Sequence, residues 1–137
     1  MSHNKRIAMA ASDEVARLQV AVTSDPTDWA SWTGLLAAAD KAESIAAVRL
    51  AYNSFLARFP YCFGYWKKFA EHEVKAEAST ESDAVSAALD RALRVYTRGT
   101  EAVPHSPEMW TAYFAFLNLH KELLPDADVR RYVPPSP

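Results

Sequence analysis

Three times along the chain a proline is followed, six residues later, by a tryptophan: Pro26 and Trp32, Pro60 and Trp66, Pro104 and Trp110. The match extends outward. Tyr52 stands eight residues before Pro60, and Tyr96 eight before Pro104. Phe69 follows Trp66 at plus three and Tyr113 follows Trp110 at plus three, with Leu35 in the first copy. Recurrence over such a period is the signature of a repeat fold. One supersecondary unit cannot bury its apolar face alone, so stacked copies bury it jointly and large residues return at the same place. The tryptophans are 34 and then 44 residues apart, and the extra ten fall in the polar stretch KAEASTESDA, read as a longer inter-helix loop or an extended helix end.

Each period holds two helical patterns. DWASWTGLLAAAD places Trp29, Trp32, Leu35 and Leu36 at helical spacing, and IAAVRLAYNSFLARF places Ile45, Val48, Tyr52, Phe55 and Phe59 on one stripe. YWKKFAEHE turns Trp66, Phe69 and Ala70 inward and Lys67, Lys68, Glu71 and His72 outward. Further stripes run through Val85, Leu89, Ala92, Tyr96 and Val103, through Trp110, Tyr113, Phe114 and Leu117, and earlier through Val15, Leu18 and Val22. Ser106, Pro107 and Glu108 spell a helix start, with a capping hydroxyl, a proline in the first turn and an acid near the positive end of the dipole. Thr80 with Asp83 fits a capping box. Pro26, Pro60 and Pro104 each end the helix before them. The expectation is an all-α, TPR-like helix-pair solenoid of about two and a half repeats. A leading helix occupies 13–26, repeat 1 27–60, repeat 2 61–104, a partial repeat 3 105–124, and an irregular tail 125–137. Trp32, Tyr52, Pro60, Trp66, Phe69, Tyr96, Pro104, Trp110 and Tyr113 form the repeat core.

The bulk numbers narrow the function. With 137 residues one domain is expected, and only 3 glycines argue against a turn-rich all-β fold. The formal charge of −2 lacks the basic excess of a chain that grips a phosphate backbone unaided. The lone Cys62 excludes an internal disulfide framework and suits a reducing compartment. No apolar run reaches the roughly 18 residues of a membrane span, and the N-terminus lacks the pattern of a secretory signal. A cytosolic or nuclear protein is expected.

The residues also carry a resemblance. Trp66, Phe69 and Glu73 in helix A, with a tyrosine and a closing proline in helix B, resemble the HAT (half-a-TPR) repeat of RNA-processing proteins. The segments DPTDWASWTGLL, VRLAYNSFLARFPYCFGYWKKFAEHE and VYTRGTEAVPHSPEMWTAYFAFL are similar to the N-terminal region of the pre-mRNA-processing factor 39 family, over roughly residues 13 to 120. That resemblance implies a nuclear, all-helical scaffold associated with the U1 small nuclear ribonucleoprotein and acting in 5′ splice-site recognition. It implies partners among the protein subunits of that particle, and a homodimer or a heterodimer with a related HAT protein in the full-length form. Members of the family are several times longer, and LLPDADVRRYVPPSP follows helix A of repeat 3 without a recognisable helix B. The chain therefore reads as a fragment, a truncated gene product or an incomplete sequence, with an apolar face around Trp110, Phe114 and Leu117 left open.

Catalytic chemistry is not expected. His3, His72, His105 and His120 make no metal spacing, Gly34, Gly64 and Gly99 are isolated from any phosphate loop, and Cys62 has no local activator. No cofactor or metal is called for. His72, between Glu71 and Glu73, reads as part of a solvated face. Two sets of candidate contact residues stand out. Tyr61, Phe63 and Tyr65 do not recur in the other copies and could line a repeat-specific surface. Lys67, Lys68, Arg91, Arg94 and Arg98 are candidates for an acidic partner or an RNA backbone, weighed against a solvated face balanced by Glu71, Glu73, Asp90 and Glu101. RNA contact is expected to be indirect or weak. The alternative to a splicing scaffold is a TPR-like adaptor in another RNA-processing complex, such as 3′-end processing.

Overall fold

The computed structural model describes residues 2–124, so the expected tail at 125–137 lies outside the described residues. These form six α-helices and no strand: α1 (His3–Ser24), α2 (Trp29–Lys41), α3 (Ile45–Arg58), α4 (Phe63–Lys75), α5 (Ser82–Ala102) and α6 (Pro107–Leu119). The all-α, helix-pair reading is met. The chain divides into two compact units, one ending at Arg58 and one beginning at Phe59.

In the first unit α1 runs from His3, ten residues before the start expected from its apolar stripe. Ser2 caps it by accepting from Lys5 N–H, and Ala8 and Ala11 extend the buried stripe of Val15, Leu18 and Val22 towards the N-terminus. Alanine in a helix built around valine and leucine carries little apolar signal, so the first turns were not legible. Asp28 caps α2, accepting from Ser31 N–H. Ser44 does the same for α3 through Ala47 N–H. α1 packs on α2, where Gly34 lets Leu18 approach, and Gln19 Nε2 of α1 donates to Ser54 Oγ of α3. Between α2 and α3 the fully buried Phe55 sits against Trp32 and Trp29, with ring centroids 5.9 and 5.8 Å apart.

In the second unit α4 packs along α5, and α6 packs on both. The ten extra residues of repeat 2 divide in the two ways expected: a loop crosses 76–81, and α5 has 21 residues where α3 has 14. The capping box is not formed. The N-cap of α5 is Glu81 and not Thr80, so Asp83 is out of register for the box; the Glu81 side chain makes no cap, and its N–H donates to Ser79 Oγ in the loop. Ser106 does cap α6, accepting from Met109 N–H, with Pro107 in the first turn.

The proline–tryptophan spacing acquires a physical cause. In each copy the proline ends the helix before it, and its carbonyl accepts the indole N–H of the tryptophan six residues on: Pro26 from Trp32 at 2.9 Å, Pro60 from Trp66 at 2.8 Å and Pro104 from Trp110 at 2.6 Å. A buried indole needs a partner for its one donor. The carbonyl just past the helix end is free to supply it, so the inter-helix turn and the core ring are fixed together.

Candidate functional site

The aromatic stretch that opens repeat 2 separates by depth. Trp66 and Phe69 are buried in the α4–α5 interface, Tyr65 is partly covered with the Lys68 ammonium 5.7 Å from its ring, and Tyr61 is exposed at 69%. Phe63 opens α4 and lines a groove described below. Arg98 lies 5.2 Å from the Trp66 ring and 6.0 Å from Phe69, in cation–π contact.

The other basic contact candidates, Lys67, Lys68, Arg91 and Arg94, are committed to neighbours within this unit. Lys67 pairs with Glu71 at 3.9 Å and Arg94 with Asp90 at 2.6 Å. Arg91 reaches across from α5 to α4, its Nε 3.5 Å from Glu73 Oε1, at ion-pair distance without hydrogen-bond geometry, and its Nη2 3.8 Å from Glu77. Glu73 itself is buried, a correction to its reading as part of a solvated face: the α4–α5 packing covers it, and Arg91 supplies the charge that a buried carboxylate requires. Lys67, Lys68, Arg91, Arg94 and Arg98 are thus dispersed over separate local contacts.

α6 carries its apolar residues in two directions. Leu117 is buried, which corrects its place on the open face; Tyr113 and Phe116 are buried with it against Tyr96 of α5. Phe114 remains exposed, stacked at 6.2 Å on a half-buried Trp110.

An apolar groove of about 810 Å³ lies between α4 and α6. From α4 it is lined by Phe63, Lys67, Ala70, Glu71, Val74 and Lys75. From α6 it is lined by Pro107, Glu108, Thr111, Ala112, Ala115, Phe116, Leu119 and His120, and Tyr96 of α5 forms its floor. Alanines where larger residues would close the gap create the space. The Tyr96 ring is buried, and desolvation, with a smaller contribution from the Glu71 carboxylate, pushes its hydroxyl up to about 12. The phenol therefore stays protonated and can both donate and accept. Phe63 and Lys67 are contact candidates by sequence, whereas Tyr96, a tyrosine at a repeat-core position, reads as core and gives no sign of the groove. Burial pushes the Cys62 thiol up, away from thiolate reactivity. Among the described residues no cluster of three His, Cys, Asp or Glu could hold a metal ion, and no helix is long and apolar enough to cross a membrane.

Comparison with known proteins adds what geometry alone does not. Residues 16–133 match the PRP39 N-terminal HAT repeat. The chain is 38% identical over 107 residues to pre-mRNA-processing factor 39 of Xenopus laevis, covering 78% of this chain and 15% of that protein. It is 35% identical over 107 residues to the protein of the same name from Homo sapiens, covering 78% and 14%. With that of Schizosaccharomyces pombe it shares 31% over 105 residues, covering 69% and 16%. The chain thus spans about 15% of the length of the curated relatives it matches. Three proline–tryptophan locks on paired helices and a match over most of the sequence place it: the chain belongs to the PRP39 family, whose N-terminal HAT repeat it carries.

Proposed function

We propose that this chain is a non-catalytic scaffold element of pre-mRNA splicing. It works in the nucleus as part of a U1 small nuclear ribonucleoprotein-associated protein that supports 5′ splice-site recognition through protein–protein contacts. The observation that carries the reading is the match of residues 16–133 to the PRP39 N-terminal HAT repeat, with relatives named pre-mRNA-processing factor 39. The chemistry of the second unit agrees with it. An apolar groove suits a protein surface, whereas a phosphate backbone calls for clustered cations, and Lys67, Arg91 and Arg94 are already paired with acids. RNA contact is accordingly indirect or weak, and dimerisation with a second copy or a related HAT protein belongs to the longer form.

The test is retention of purified U1 particles on the immobilised full chain, before and after RNase and across a salt series. The expected result is retention of particle proteins that survives RNase and changes little with salt. No retention of any particle protein, or retention that RNase or moderate salt abolishes, overturns the reading.

A further inference from the structure

The short connections at 76–81 and 103–106 make α4 and α6 each antiparallel to α5, and therefore parallel to one another. The groove between them has three properties that constrain what fills it. Its walls are helices whose backbone groups are spent on their own hydrogen bonds, so an extended peptide lying there would bury N–H and C=O groups with almost nothing to pair them. A helix brings its backbone already satisfied and offers an apolar stripe to an apolar slot. Second, the floor holds Tyr96, only 4% exposed, whose hydroxyl makes no hydrogen bond to any described residue. A hydroxyl held on the floor of an apolar groove is an unused polar contact. Third, the end of the groove formed by the last turns of α4 and α6 carries Lys75, exposed and in no ion pair among the described residues, beside His120. Lys67 on the same wall is, by contrast, balanced by Glu71.

We propose that the α4–α6 groove docks one amphipathic helix of a partner protein, which inserts an apolar stripe between the alanines, offers a hydrogen-bonding side chain to the Tyr96 hydroxyl and sets a carboxylate against Lys75. The proposal rests on the scaffold reading above and specifies its contact: a helix with apolar residues three and four apart and an acid at one end.

A library of 16-residue peptides displayed on phage, randomised within a helix-favouring frame, is selected against the full chain, and the enriched peptides are synthesised and titrated by fluorescence anisotropy. The expected result is enrichment of peptides with an apolar i, i+3/i+4, i+7 stripe and a terminal acid. Ala115→Trp, which fills the groove from an exposed position, should abolish their binding. Tyr96→Phe should weaken it roughly fivefold through one lost hydrogen bond. Lys75→Glu lies on the surface and does not depend on how well Ala115→Trp folds. It should weaken acid-ended peptides and, in a repeated selection, exchange the acid for a lysine or arginine. Four results overturn the proposal: no enrichment; enriched peptides that bind Ala115→Trp and Lys75→Glu as well as the parent chain; a dimer of the chain that Ala115→Trp dissolves, making a second copy the occupant; and peptides that bind only after residues 125–137 are deleted, making those residues the occupant. The two readings fail separately. Particle retention without peptide selection removes the groove and leaves the scaffold, and peptide binding without particle retention does the reverse.

Discussion

Tyr52 and Tyr96 stand at the same place in their repeats, eight residues before the closing proline. In the first unit Tyr52 is wholly buried and its hydroxyl donates to Asp40 Oδ1 at 2.7 Å. In the second, Tyr96 is buried by Tyr113 and Phe116, lines the groove, and its hydroxyl makes no hydrogen bond to a described residue. The difference traces to a single partner position. Eight residues after Trp32 stands Asp40; eight after Trp66 stands Val74, which lines the groove and offers no acceptor. A second slot differs in the same manner. Five residues before the proline, the first unit holds Phe55, packed under Trp32, and the second holds Gly99, into whose space Met109 of α6 projects. The repeat fixes where rings and helices go, and the residues between decide whether a slot is sealed, lent to a neighbouring helix, or left open.

The largest expected effect tests what the units share. Trp66→Ala removes a buried ring and its hydrogen bond to Pro60, and should cost about 3–5 kcal/mol by chemical denaturation. Trp110→Ala, at a half-buried site with the same hydrogen bond, should cost less than half of that. Equal costs would mean that the lock and not the burial carries the stability.

Tyr52→Phe and Tyr96→Phe address the difference directly. Loss of the Tyr52 hydroxyl breaks a hydrogen bond to a carboxylate and should destabilise by about 1.5–3 kcal/mol. Loss of the Tyr96 hydroxyl breaks nothing within the described residues and should change stability by less than about 0.5 kcal/mol. If the two variants melt alike, the asymmetry between the units is not energetic.

Much of this was written in the sequence and some was not, for physical reasons. Periodicity and punctuation are local signals. The repeats, the helix that Ser106 and Pro107 begin and the core places of Trp66 and Phe69 could therefore be read directly. Burial of a charge is decided by the neighbouring helix. Glu73 looks like any acid between polar residues until Arg91, eighteen residues on, is brought against it. The groove is harder still to see. Ala70 reads as a close-packing residue, and small side chains that let helices approach leave an open slot when the helices stand apart, as Ala70 and Ala112 do here. Tyr96 shows the limit: its position marks it as core, and only the absence of an acid at position 74 hints that its hydroxyl is spare.

Gly99→Ala sharpens the second slot. A Cβ there would lie 2.8 Å from Met109 Sδ, 2.9 Å from its Cε and 3.1 Å from Trp66 Cγ, and Met109 is wholly buried, so its chain end has little room to yield. Overpacking should exceed the roughly 1 kcal/mol of helix propensity gained, for a net loss of about 1–2 kcal/mol. Gly34→Ala in the first unit would meet only a Leu18 methyl at 3.2 Å and should stay within about 0.5 kcal/mol of the parent. A Gly99→Ala chain as stable as the parent would show that Met109 can leave the slot.

The smallest effect is read by pH. Tyr96 titrates near 12, held there first by desolvation and then by Glu71, against about 10 in an unfolded chain. A phenol whose folded value is raised favours the fold below pH 10, and that contribution is lost as pH climbs from about 10 through 12. Absorbance at 295 nm, taken as the difference between the parent and Tyr96→Phe, should therefore show one late tyrosinate, and Glu71→Gln should move it down only slightly, since desolvation is the main cause. The same signal reports on the groove. A docked helix excludes the remaining water from above the hydroxyl and hydrogen-bonds its protonated form, so a selected peptide should push the transition later still. If Tyr96 titrates near 10, water reaches the hydroxyl freely, and the contrast with a sealed Tyr52 becomes one of exposure and not of a missing partner.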